Sequence, residues 1–284
     1  MLHPNIDLHC HSSRSDGTLK PAEVVHRAHR NGVEALALTD HDILDGLTEA
    51  ADEAARLGLR FVPGVEVSIT WAGETVHVVG LGIDPSDRRL LEGLAGNRHG
   101  RDRRAREMAA ALEKAGVPNA YQGAMAYVGN PELVSRIHFA RHLIAQGICR
   151  DTREVFANWL VEGRPGHVPQ RWASLQQAID WIRGAGGQAV LAHPARYRFD
   201  EAGLWALAEA FVQAGGQGIE VVSGSHTEDD VRRFARWSRR LSLRASRASD
   251  FHDPQESRFD LGRIPPLPGD VEPIWSDWPG APFS

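Results

Sequence analysis

A chain of 284 residues, 42% hydrophobic and 24% charged, can form one large or two modest globular domains and excludes a disordered, fibrous or coiled-coil protein. With 32 basic against 37 acidic side chains the net charge is −5, which excludes a general polyanion binder, so any phosphate must be met at a local site. Two cysteines, Cys10 and Cys149, cannot build a disulfide framework. No basic stretch followed by an apolar one opens the chain, and no apolar run reaches the roughly 18 residues a membrane helix needs. A cytoplasmic protein without membrane contact or a stable protein partner is expected.

Residues 6–11 alternate strictly, with Ile6, Leu8 and Cys10 on one face and Asp7, His9 and His11 on the other, the pattern of a strand. A helix is predicted over 21–31, with proline at its start and Asn31-Gly32 at its stop. Residues 35–39 are a short apolar strand running into Asp40-His41-Asp42, and 45–57 a helix closed by Gly58. The third strand, 59–69, bends at Pro63-Gly64 and carries Glu66. A turn at 71–74 leads to a fourth strand, 75–81, with His77.

From 96 to 165 the alternation lapses into a helical stretch, clearest over 101–115. It resumes with a helix at 175–183, a strand at 188–192 ending in His193-Pro194, and a helix at 201–214. A strand at 218–222, a helix at 227–240 and a strand at 242–249 follow, the last ending in Asp250-Phe251-His252. The remainder, 266–284, is a proline-rich tail whose Trp275 and Trp278 are expected to cover apolar surface. Repeated β-α units predict an α/β fold on a parallel sheet, doubly wound or closed as a barrel, with a mainly helical subdomain inserted. The barrel is expected to span 1–95 and 166–265, and the insertion, 96–165, to cover the substrate site.

A closed parallel barrel builds its site at the carboxyl ends of its strands. His9, His11, Asp16, His41, Glu66, His77, His193, Asp250 and His252 all fall at or near such ends, while strand six offers Glu220. Taken singly, each is more often a hydrogen-bonded core residue, and Asp16 or Asp42 a turn or helix cap. Taken together, six imidazoles and three carboxylates at one pole would repel one another and stay poorly solvated, a conflict that divalent metals resolve. Nine ligands suit two or three ions, and mixed nitrogen and oxygen ligation suits Mn, Fe or Zn better than Mg. Three such ions with three carboxylates and a bridging hydroxide leave an excess of about two positive charges, which a phosphomonoester dianion neutralises and an amide does not.

These residues resemble the PHP (polymerase and histidinol phosphatase) family of the amidohydrolase superfamily: His9-x-His11 with Asp16, Thr39-Asp40-His41, Glu66, His77, His193-Pro194 and Asp250-x-His252. The resemblance implies a distorted (β/α)7 barrel with three metals, most readily Mn²⁺. One ion would take His9, His11, Glu66 and Asp250, a second would share Glu66 with His77 and His193, and the third would take Asp16, His41 and His252.

Arg101-Asp102-Arg103-Arg104, Ser135-Arg136-Ile137-His138 and Gly163-Arg164-Pro165 further resemble the family's nucleotide phosphoesterases. That implies hydrolysis of the 3'-phosphate of nucleoside 3',5'-bisphosphates by attack of a metal-bridging hydroxide. Arginine forks suit the second phosphate, and Arg136, Ser135, His138, Arg101, Arg104 and Arg196 are the candidate substrate-binding residues. The alternative for the arginine run is a solvated helix face. Asp40 is a candidate for orienting the histidine beside it or for donating a proton. Competing readings are a 5'-3' exoribonuclease on short RNA, a histidinol phosphatase, a C–N amidohydrolase and a non-catalytic scaffold.

Overall fold

The computed structural model describes residues 4–169 and 172–278. The first three residues of the N-terminal segment and the last two prolines of the tail, Pro279 and Pro282, lie outside the described residues. Seven strands, β1 (Ile6–Asp7), β2 (Ala35–Leu38), β3 (Arg60–Trp71), β4 (Glu74–Leu81), β5 (Gln188–Leu191), β6 (Gly218–Ser223) and β7 (Arg244–Ala248), lie side by side in chain order. The sheet curls until β7 meets β1: Leu8 donates to the Arg247 carbonyl at 3.1 Å, Asp250 to that of His9 at 2.9 Å, and His11 to that of Phe251 at 2.8 Å. Asp7 seals the seam, its carboxylate accepting from the Ser249 and Gly262 amides at 2.8 Å each. The result is a nearly closed, distorted (β/α)7 barrel.

The parallel sheet expected from alternation needs one correction. β4 runs antiparallel to both β3 and β5, while the other neighbours pair in parallel. The cause is the turn at Ala72 and Gly73, both at positive φ (45° and 85°), a two-residue hairpin that can join only antiparallel strands. Reversal puts the start of β4, and with it His77, at the pole where the other strands end.

Helices pack outside: α1 (Pro21–Arg30), α2 (Leu47–Leu57), then after the insertion α7 (Leu175–Gly184), α8 (Glu201–Gln213) and α9 (Glu228–Arg240). Their starts follow from local chemistry: Pro21 opens α1, and Asp200 and Thr227 accept amides of the first turns of α8 and α9. Between lie α3 (Arg88–Lys114), α4 (Ala120–Met125), α5 (Arg136–Ala145) and α6 (Thr152–Val155), the last running into a π-helical turn at Phe156–Leu160. α3 runs unbroken through residue 95, where the sequence suggested the insertion would begin. Its Leu90 and Leu94 belong to the barrel core, and its Ala105, Met108 and Leu112 to a second core with Phe139, Leu143 and Val155.

The tail is a strap. Ala245 of β7 donates to the Glu272 carbonyl at 2.7 Å and Ile274 returns a bond to Ala245 at 2.9 Å, which buries Ile274 and Trp275 against the barrel. Trp278 packs beside them and donates to Gln188 at 2.6 Å. No helix among the described residues is long and apolar enough to cross a membrane.

Candidate metal centre

Each candidate ligand arrives by a different local device. His9 and His11 follow β1 in extended chain. Asp16 comes from the loop after them, which folds around Asp40: the Ser12 amide (2.8 Å), Ser12 Oγ (2.6 Å) and Ser15 Oγ (2.5 Å) all donate to that carboxylate. A Cβ at Gly17 would sit 2.6 Å from the His11 carbonyl oxygen, so only glycine lets the loop turn back this tightly. Glu66 projects from within β3, facing His41 across an isolated bridge. His193 (φ +26°) and Asp250 (φ +53°) stand just past β5 and β7 in left-handed backbone, where the chain turns sharply away from the sheet.

All nine side chains expected at the pole meet there, in groups whose donor atoms lie within 4.8 Å of one another: His11, Asp16, His41 and His252; His9, His11 and Asp250; His9, Glu66 and His193; and His41, Glu66 and His77. Glu66, fully buried, is the hub. Its Oε1 lies 2.9 Å from both His77 Nδ1 and His193 Nε2, and its Oε2 2.9 Å from His41 Nδ1, 3.2 Å from His9 Nε2 and 3.3 Å from His11 Nε2. Asp16 faces His252 at 3.4 Å and His41 at 3.5 Å.

The electrostatics are those of a cluster short of positive charge. Burial disfavours ionised imidazole, yet Glu66 and Glu220 outweigh it and hold His9 well above its ordinary range, and the nearby carboxylates of Asp250, Glu66 and Asp16 lift His11 to about 10. At His77 burial prevails, and the pKa falls to about 4. Burial opposes ionisation of Asp16, Glu66 and Asp250, but their histidine neighbours, and Arg196 beside Asp250, hold all three well below the usual carboxylate range. Buried His41 Nδ1, His77 Nδ1, His193 Nδ1, Glu66 Oε2 and Asp250 Oδ1 find no hydrogen-bond partner among the described residues. Orphaned lone pairs converging on shared points are what divalent cations satisfy, so the donor set fits the ions.

Above the pole opens a cavity of about 920 Å³, walled by the barrel mouth and by the insertion. Of the candidate substrate residues Ser135, Arg136, Arg101, Arg104 and Arg196 line it and His138 does not; nor does Asp40, the candidate for orienting His41 or donating a proton. His138 is buried as a cap, its Nδ1 accepting the Ser135 amide at 3.0 Å, and burial lowers its pKa to about 4.

The arginines divide by partner. Arg101 is paired with Asp42, Arg141 with Glu256 at 3.0 Å and Arg196 with Asp250 at 2.6 Å. Arg104 donates to the Val168 carbonyl at 2.9 Å, and Arg136 lies over the Phe156 ring at 5.5 Å; among the described residues neither has an ion-pair carboxylate. Burial first, and then neighbouring guanidiniums, pull Arg104 down to about 9 and lower Arg136 as well, against the opposing pull of Glu74 on Arg136.

A model of the PHP domain family matches residues 7–144. A 3',5'-nucleoside bisphosphate phosphatase of Chromobacterium violaceum is 52% identical over 273 residues, 96% of each chain. The chain belongs to the PHP family. A 5'-3' exoribonuclease of Escherichia coli is 39% identical over 96% of this chain and 93% of its own. Among solved structures, an amidohydrolase from Chromobacterium violaceum with bound sulfate and no metal superposes with a TM-score of 0.93 at 52% identity, covering 95% of this chain and 94% of the other. A Bifidobacterium adolescentis protein described as a proposed metal-dependent phosphoesterase gives 0.80 at 26% identity, covering 96% and 94%.

Around the PHP pole the structure adds residues to which the sequence pointed weakly or not at all. Glu220 accepts His9 Nδ1–H at 2.6 Å and the His193 amide at 2.7 Å, orienting one ligand through its ring and another through its backbone. Asp42, fully buried at φ +53°, is no helix cap. Its carboxylate accepts from the Ser68 amide and Asn97 Nδ2 at 2.9 Å each and from Arg101, while its carbonyl takes Arg98. It therefore locks α3 onto the loop that carries His41. Trp172, Thr152, Arg153, Phe156 and Arg258 complete the cavity wall from segments that carry no motif.

Proposed function

We propose that this PHP protein is a metal-dependent phosphatase that removes the 3'-phosphate of nucleoside 3',5'-bisphosphates, releasing phosphate and the nucleoside 5'-phosphate. The observation that carries the reading is the pair Arg104 and Arg136, in the same cavity as the pole and without an ion-pair carboxylate among the described residues. A substrate with one phosphate at the reacting centre and a second on the far side of a ribose supplies the anion this pair lacks. Histidinol phosphate, with one phosphate and a cationic amine, leaves the pair unmatched. The relative with 52% identity bears the same activity in its name.

The residues that would hold two or three ions are His9, His11, Asp16, His41, Glu66, His77, His193, Asp250 and His252; the mixed donor set suits Mn, Fe or Zn, and the family resemblance favours Mn²⁺. Bound divalent ions supply Lewis acidity and an activated water at neutral pH. The chain's own part is to aim the substrate. Arg136 and Arg104, with Ser135 beside them, hold the 5'-phosphate. Arg101, pinned by Asp42 and stacked 4.6 Å from the Trp172 ring, fixes the wall they stand on. Asp40 keeps the Asp16 loop folded. Hydrolysis breaks the bond between phosphorus and the 3'-oxygen, water giving its oxygen to phosphorus and a proton to the departing 3'-oxygen, which leaves as the hydroxyl. Cytoplasmic action suits the two buried free thiols, Cys10 and Cys149.

A second reading, trimming of short RNA from its 5' end, is favoured by the exoribonuclease relatives and uses the same 5'-phosphate anchor. Phosphorus NMR of a nucleoside 3',5'-bisphosphate incubated with protein and Mn²⁺ tests the main reading: the remaining ester should be the 5'-phosphate. A remaining 3'-phosphate, or no release, overturns it. An end-labelled trinucleotide measures the second activity in parallel.

A further inference from the structure

The antiparallel ladder between β4 and β5 is regular up to the pair Val78 and Leu191. The next pair is His77 and Ala192, and only half of its reciprocal bonding is made: the Ala192 amide donates to the His77 carbonyl at 3.2 Å. The return bond, from the His77 amide to the Ala192 carbonyl, is replaced by a side chain. The Tyr197 hydroxyl accepts from the His77 amide at 2.9 Å and donates to the Ala192 carbonyl at 2.9 Å. A phenol oxygen thus stands where a direct rung belongs and widens the sheet at that level.

The position of the wedge matters. One strand carries His77, and the other delivers His193 one residue later, at φ +26°. Both rings reach the same oxygen, Glu66 Oε1, at 2.9 Å. The Tyr197 ring meets His193 edge-on, with centroids 5.7 Å apart, at the end of the short 3-10 turn Pro194–Arg196. Were the rung closed directly, the two strands would draw together and the two imidazoles would lose the separation from which they converge.

We propose that Tyr197 is a positioning residue whose hydroxyl, inserted between β4 and β5, sets the separation from which His77 and His193 converge on Glu66 Oε1 and so the hold of the pole on an ion there. It touches neither substrate nor ion and acts through the backbone of one ligand and of the residue preceding another. The inference rests on the metal reading of the pole and not on the identity of the nucleotide.

The test is retention of metal. Wild type and Tyr197→Phe are loaded with Mn²⁺, desalted into chelator, and the manganese remaining per chain is followed with time by mass spectrometry. The variant should release one ion per chain about 10–100 times faster than wild type, with the remaining ions released as before. Equal counts and equal rates overturn the inference. A wild type that holds no manganese overturns the metal reading beneath it, and the inference falls too.

Should Tyr197→Phe not fold, hydrogen exchange at the His77 amide of the wild type decides the matter. Slow exchange, comparable with Val78 and Val79 in the ladder, is expected of an amide bonded to a buried hydroxyl, and exchange at a loop rate overturns the wedge.

Discussion

The pole and the mouth of the barrel are built on opposite principles. At the pole every charge has neighbours of the other sign: Glu66 alone has five histidines within 3.3 Å, and Glu220 orients two of the ligands from behind. At the mouth Arg101, Arg141 and Arg196 are already neutralised, while Arg104 and Arg136, like Arg153 and Arg258 on the same wall, have no ion-pair carboxylate among the described residues. Counting charged residues therefore identifies the pole. Only the pairing of each residue separates the candidate anion contacts from arginines already engaged.

If that contrast holds, Glu66→Ala gives the largest effect. It removes the acid shared by five histidines, and loss of several kcal/mol of metal assistance corresponds to a fall of about a thousandfold in turnover, with at least one ion missing on metal analysis. Glu220→Gln keeps the shape but weakens the orientation of His9, and should cost about 10–100-fold in metal affinity, read by competition with a chelating dye.

The mouth responds differently. Arg136→Ala should raise KM for the bisphosphate by about tenfold or more, the worth of one charge-assisted bond, while leaving a nucleoside 3'-monophosphate nearly unaffected. Equal effects on the two substrates would place the second phosphate elsewhere. Arg101→Ala should instead appear as instability, since it strands the buried Asp42 carboxylate, at about 3–5 kcal/mol in denaturant unfolding. Arg232→Ala, on the exposed face of α9 where its Asp229 partner is 89% exposed, should change neither stability nor activity measurably.

The pole was legible because strand ends announce themselves. An alternating run closing in His9 and His11, and apolar runs closing in His41, His193 and Asp250, fix both the element and the end at which chemistry sits. His77 was visible as a residue but not by its route, because the reversal of β4 hangs on two turn residues, Ala72 and Gly73. Glu220 was noted as an acid at a strand end, yet its bond to His9 Nδ1 depends on closure of the barrel.

The mouth was less legible for a physical reason. Arg101 and Arg104 look alike in a basic helix, and only the fold gives one of them Asp42 and leaves the other without an ion-pair acid among the described residues. His138 looked like a substrate ligand because it follows Arg136, but helix geometry turns it inward to cap Ser135. Asp42 read as a turn residue, since nothing in its neighbourhood foretells Asn97 and Arg101, more than fifty positions on, as its partners. Thr152, Arg153 and Phe156 belong to an irregular helical segment whose spacing signals no particular face.

The central claim is that cations held by these nine side chains drive phosphate release from a doubly phosphorylated nucleoside. It is tested most directly by one titration: the protein is stripped with chelator, phosphate release from a nucleoside 3',5'-bisphosphate is measured, and Mn²⁺ is added back stepwise. The account predicts negligible release from the stripped protein and recovery that saturates at two or three ions per chain. Full turnover by the stripped protein, or saturation without any release, would contradict it.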